Sequence, residues 1–231
     1  IVTLIKRGIQ IETKTVRTDT LYMFFITSLP LILMVDHQIS RIDGIILLIA
    51  FFLYLLRLFA QERRFRERKD NLPKRTFIKS IITCLLSLIL LLLSADMVVK
   101  LATLIATDLS LPPILIGLFM LSLGTTLPEL TFETKAVMAK HRYLALGDLL
   151  GSVVANSSLV LGIVALIHPI SPDFLLFTTS ASFMVMTAFL FMTFVESEKK
   201  IIMQEGIALI FLYILFLLVM FNMRMIEITK L

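Results

Sequence analysis

The chain has 231 residues, of which 58% are hydrophobic and 17% charged, and its mean hydropathy is +0.95. Those values exclude an ordinary soluble domain, and apolar runs about twenty residues long identify a polytopic membrane protein. The formal charge of +5 does not point to nucleic acid, because Lys and Arg cluster in the short segments between apolar runs, as membrane topology requires. One cysteine, Cys84, sits inside an apolar run and reads as a packed or lipid-facing thiol. A single cysteine also excludes an intramolecular disulfide or a thiolate metal site within the chain.

Residues 1–5 read as the last turn of a helix whose body lies upstream, since neither a methionine nor the charged region of a signal peptide comes before them. Seven complete spans follow, over 21–35, 45–60, 77–106, 114–138, 144–167, 174–195 and 201–221. Pro30 is expected to break the hydrogen-bond ladder of the first. Arg57, near the end of the second, is expected to extend its head toward the interface. The third is too long for a vertical crossing of a ~30 Å core, so it tilts or projects. Within it Asp96 and Lys100 are spaced for a local ion pair. Pro112 and Pro113 make the tight connection to the fourth span.

With alternating crossings, sixteen Lys and Arg fall on one side: Lys6, Arg7, Lys14, Arg17, seven between 63 and 75, Lys135, Lys140, Arg142, Lys199 and Lys200. The other side has Arg41, Arg224 and Lys230. The basic loop QERRFRERKDNLPKR is therefore expected in the cytoplasm. Contact with anionic lipid headgroups is a secondary expectation for that loop. His37, His141 and His168 fall at span ends or in loops, and no pair of them has metal-ligand spacing.

Polar residues concentrate at membrane depth in spans four and five, where burying them needs a reason. Gly124, Thr125, Thr126, Leu127, Pro128 and Glu129 lie near the middle of the fourth span. Pro128 cannot donate to the Gly124 carbonyl, so a kinked or interrupted helix is expected there, with a carbonyl oxygen freed beside Thr125 and Glu129. In the fifth span Asp148, Ser152 and Asn156 recur at i, i+4, i+8 beside a G-x-x-x-G pair, Gly147 and Gly151, which is expected to admit a close helix neighbour. An oxygen-lined cavity at mid-depth suits hard cations such as calcium and sodium, and is the arrangement of secondary transporters.

The pair GTTLPE and GDLLGSVVANSSLVLG resembles the alpha-repeat of the cation/calcium antiporter superfamily, specifically the membrane domain of sodium/calcium exchangers. The family pattern is approximately G-T-S-x-P-E followed by G-N-x-x-G-S-N-x-x-N or D. The resemblance implies an all-α, polytopic transmembrane helix bundle, the second half of an inverted-repeat antiporter with broken helices at the ion site. Residues 1–75 would be the tail of a first repeat with two spans and the basic loop, and 76–231 a second repeat with five spans. Carried over by position, Glu129 would be the principal carboxylate ligand, Asn156 and Ser152 oxygen ligands, and Thr125 with Thr126 further oxygen donors. The long third span would match the helix that slides during alternating access. The upstream repeat would complete the site, because this half alone has too few ligands for the roughly six to eight oxygens calcium takes.

Two positions depart from the pattern. Asp148 stands where the family has Asn, and Glu133 where a small or polar residue is usual. Two extra acids near one cavity raise its negative charge, which favours a proton as counter-ion and makes Asp148 a further candidate ligand. Glu133 also reads as a cytoplasmic-side charge neutralised near Lys135 or Lys140. The implied function is secondary active antiport of calcium, or a similar divalent cation, against sodium or protons across the cytoplasmic membrane. It would be a transporter and not an enzyme, with no cofactor and membrane lipid as its surroundings; no G-x-x-x-x-G-K-[ST] nucleotide motif is present. A cation channel and a non-transporting subunit or fragment are the alternatives.

Overall fold

The structure is a computed structural model that describes residues 9–10, 14–65, 122–198 and 200–229, with further positions between 82 and 108. Residues 1–5, the basic loop beyond Phe65, Cys84, Asp96, the 110–113 connection and the Thr125 side chain lie outside the described residues. The described elements are helices, with one two-residue antiparallel pairing of β1 (Ile9–Gln10) and β2 (Lys200–Ile201). The helices are α1 (Lys14–Leu33), α2 (Arg41–Phe65), α3 (Ser122–Met138), α4 (Arg142–Val154), α5 (Leu161–Ile167), α6 (Phe174–Glu198) and α7 (Met203–Thr229). The chain is therefore all-α in class. Five stretches among the described residues are long and apolar enough to cross a membrane: Val16–Asp36, Arg41–Ala60, Arg142–Ile167, Phe174–Ser197 and Met203–Met223.

Helix ends are set by local chemistry. Ser40 and Asp43 form a reciprocal capping box at the start of α2, with the Ser40 N–H donating to Asp43 Oδ2 at 2.8 Å and the Asp43 N–H donating to Ser40 Oγ at 3.3 Å. That box starts the helix one turn before the apolar run at Ile45. Asp173 caps α6 by accepting from the Leu176 N–H at 2.8 Å, and Glu205 accepts from the Ile202 N–H at 2.8 Å ahead of α7. Ile201, expected to open the last span, instead pairs with Ile9. At the end of α3, Lys140 takes a left-handed φ of 68°, and the His141 and Lys140 N–H groups donate to the Ala136 and Val137 carbonyls. This Schellman turn satisfies the last carbonyls of α3 and ends that helix just before α4 begins.

The residues group into two compact units, Ile1–Gln61 with Ala136–Leu231, and Glu62–Lys135. In the first, α1 packs on α4 and α6, and α6 packs on α7. Its main core gathers Met23, Ile26, Tyr54, Leu150, Val154 and Phe191, and a second core gathers Met34, Ile39 and Ala165. Many large apolar side chains on the spans are exposed, among them Phe25, Ile32, Leu56 and Phe211, as a lipid-solvated surface requires. Hydroxyls in α1 bond to their own helix: Thr20 Oγ1 donates to Val16 O at 2.7 Å, Ser28 Oγ to Phe24 O at 2.7 Å, and Thr27 Oγ1 to Met23 O. Helix α1 continues through Pro30, so that proline costs one hydrogen bond without ending the helix.

Two expectations change. Among the described residues the Gly147 and Gly151 pair forms no packing seam, since a methyl placed at either meets none of them within 4 Å. The close approach is between Gly44 of α2 and Gly162 of α5, where a Cβ would lie 2.8 Å and 2.9 Å from the opposing carbonyl oxygen. An antiparallel bridge between Ile39 and Ile170 ties the adjoining connectors together, with N–H to O distances of 2.8 and 3.0 Å. Arg57 does not extend outward. Its Nη2 lies 3.3 Å from Asp19 Oδ1, and its guanidinium sits 3.8 Å from the centroid of the Tyr22 ring. A carboxylate on the neighbouring span and an aromatic face outcompete the interface for this group. With the Arg17–Glu196 pair at 2.8 Å, this anchors the polar first turns of α1, which begins ahead of its apolar run at Leu21.

In the second unit the described residues between 82 and 108 are all helical. A Cβ on Gly124 would lie 2.8 Å from Val98 Cγ1. Gly124 therefore gives the 82–108 segment close access to α3 at the start of the polar motif.

Candidate ion-binding site

The fifth span is one helical stretch, Arg142–Ile167, whose middle leaves α geometry. Residues Ala155–Val160 form a π-helical segment between α4 and α5. Such segments are rare and recur at functional positions, because the widened turn displaces carbonyls and side chains from the regular lattice. Asn156 is in this segment, near the centre of the span, and is exposed. It lines a cavity of about 400 Å³ with Pro30, Ser157, Phe177 and Ser180. The walls are mainly apolar, and the polar residues among them are Asn156, Ser157 and Ser180. A second cavity of about 410 Å³, lined by Met23, Phe183, Phe191 and Tyr213, shares Val153, Ser180 and Met184 with the first.

Asp148 and Ser152 precede Asn156 on α4, and both are half-buried. Ser152 Oγ donates to Leu149 O at 3.2 Å. A hydroxyl whose hydrogen is committed to a carbonyl keeps its oxygen lone pairs for a cation, so this contact is compatible with a ligand role.

The other candidate residues belong to the second unit. Helix α3 is continuous from Ser122 to Met138, so the break expected at Pro128 is confined to the backbone donor that proline lacks. Thr126 is exposed, and its Oγ1 donates to Ser122 O at 2.9 Å. Glu129 and Glu133 are half-buried. Among the described residues no group of three or more His, Cys, Asp or Glu side chains could by itself hold a metal.

Among the described lining residues only Asn156 was a sequence candidate; the polar Ser157 and Ser180 and the helix breaker Pro30 were not. Ser157 lies in the same motif as Asn156 and could have been found by its position. Pro30 was legible only as a helix breaker. Ser180 carries no local signal, and only the packing of α6 brings it to this cavity.

A family model described as Sodium/calcium exchanger protein matches residues 79–222, which include both polar motifs. The chain is 32% identical over 147 residues to Sodium/calcium exchanger MaX1 of Methanosarcina acetivorans, covering 63% of this chain and 41% of that protein. It is 31% identical over 196 residues to Inner membrane protein YrbG of Escherichia coli, covering 77% of this chain and 59% of that protein. The matches thus span about half the length of these curated relatives. The solved sodium-calcium exchanger NCX_Mj, soaked with 2.5 mM Na+ and 0.1 mM Ca2+, is 26% identical with a TM-score of 0.71, covering 93% of this chain and 68% of that chain. The H+/Ca2+ Exchanger CAX shares the fold, with 17% identity, a TM-score of 0.71 and coverage of 94% of this chain and 58% of that chain. By its motifs, its helical fold and these matches, the chain belongs to the sodium/calcium exchanger protein family.

Proposed function

We propose that this chain is the part of a secondary active antiporter that exchanges calcium, or a similar divalent cation, for sodium or protons. The observation that carries the reading is Asn156, an amide presented to a cavity by a π-helical interruption near the centre of an apolar span. Glu129 supplies the principal carboxylate, Asn156 and Ser152 supply oxygens, and Thr125, Thr126 and Asp148 complete this chain's contribution. Residues 76–231 act as one exchanger repeat, and a second repeat supplies the remaining ligands. The bias of Lys and Arg puts the basic loop on the cytoplasmic side of the cytoplasmic membrane.

The mechanism is competitive occupancy of one oxygen cage. A divalent ion, or sodium ions or protons in its place, balances the Glu129 charge, and the balanced site permits the inward-to-outward rearrangement. The acids that depart from the family pattern, Asp148 and Glu133, favour protons, whereas the relatives named as sodium/calcium exchangers favour sodium. Tracer calcium uptake into vesicles holding the complete protein tests both. Uptake that saturates and requires an imposed sodium or pH gradient is expected, and the gradient that drives it names the counter-ion. Large calcium currents without any opposing gradient would contradict antiport.

A further inference from the structure

The π-helical segment Ala155–Val160 joins two anchored pieces. Upstream, Leu150 and Val154 are set in the main core, and downstream Gly162 meets Gly44 while Ala165 is fully buried. A π turn closes its hydrogen bonds to the fifth residue back instead of the fourth, so a carbonyl entering it exchanges its usual donor for the N–H one residue further on, and a hydroxyl bonded back to that carbonyl competes with the N–H that an α turn would use. Val153 and Val154 stand at that junction. Ser157 Oγ donates to Val153 O at 2.8 Å and lies 3.3 Å from Val154 O, and Ser158 Oγ donates to Val154 O at 2.6 Å. Ser157 is 6% exposed and Ser158 is 0% exposed, so solvent cannot take over these contacts.

We propose that Ser157 and Ser158 are positioning residues whose hydroxyls hold the segment in π geometry and thereby aim the Asn156 amide at its cavity. Without the hydroxyls, the Val153 and Val154 carbonyls can take back the donors of a regular α turn. Reversion to that turn re-aims Asn156 relative to Asp148 and Ser152, and conflicts with the downstream anchor at Gly162. The consequence for transport rests on the reading of Asn156 as a cation ligand, whereas the hold on backbone geometry does not.

The test uses the complete protein in vesicles. The S157A/S158A variant is expected to raise the apparent KM for calcium about tenfold while keeping the maximal rate within about twofold. S157T keeps a hydroxyl able to bond back to the same carbonyls and is expected to stay within about twofold of the parent KM. Amide hydrogen exchange over residues 155–161 is expected to change in S157A/S158A and not in S157T. If the double variant does not fold, S157A and S158A singly are each expected to give about a threefold rise and a smaller exchange change. Parental KM, or parental exchange over 155–161, in the alanine variants overturns the proposal. So does an equal loss in the alanine and threonine variants that tracks a smaller folded fraction. A parent protein that takes up no calcium under any gradient defeats the functional reading by itself, and the exchange data then decide the role of the serines.

Discussion

At the residue scale, two ion pairs on α1 differ in surroundings more than in length. Arg17 and Glu196 are 58% and 33% exposed in their side chains, whereas Arg57 and Asp19 are 21% and 12% exposed. Solvent screens the first, so R17A is expected to lower unfolding free energy by no more than about 1 kcal/mol. D19A strands a half-buried guanidinium whose Nη1 meets no acceptor among the described residues, and should cost about 2–3 kcal/mol. Chemical unfolding of the two variants in detergent compares them, and an equal loss would mean that the Asp19–Arg57 pair is no clamp. The glycines make a similar contrast. G162A must push a methyl against the Gly44 carbonyl and is expected to cost about 1–3 kcal/mol. G147A meets open space among the described residues and should be neutral or slightly stabilising, as thermal denaturation would report.

At the element scale, much was legible because the signals are local. Apolar runs mark the spans, whereas Ser40 with Asp43, and Asp173 ahead of Phe174, set where α2 and α6 start and lie outside those runs. Losing the Asp173 cap in D173A is expected to cost about 1 kcal/mol, visible as a lower melting temperature. Lys140 shows a limit, since nothing in its own chemistry announces the left-handed position it fills. K140G should leave stability unchanged or raise it by up to about 1 kcal/mol, while K140V should lower it by about 1–2 kcal/mol, by the same measurement. The π segment was also hidden. Regular periodicity places Asp148, Ser152 and Asn156 on one α-helical stripe, and the departure depends on hydroxyls bonding back to Val153 and Val154. Contacts between residues far apart in the chain, such as Gly44 with Gly162 or Arg57 with Asp19, were illegible for a simpler reason. A spacing rule for one helix reports which residues share a face, and not what that face meets.

At the scale of the whole molecule, membership of the sodium/calcium exchanger family and the all-α membrane fold follow from agreement between motif, helices and relatives. Polar residues at mid-span are costly in hydrocarbon without compensation, and the proposed ligand role supplies that compensation. The account therefore stands most directly on Glu129, the carboxylate that the proposed cage must neutralise. The decisive measurement is gradient-driven tracer calcium uptake by the complete protein carrying Glu129→Gln, an isosteric change that removes the charge and keeps the shape. The account predicts that uptake falls to the level of empty vesicles while the variant still folds with parental thermal stability. Uptake at the parental rate would contradict it.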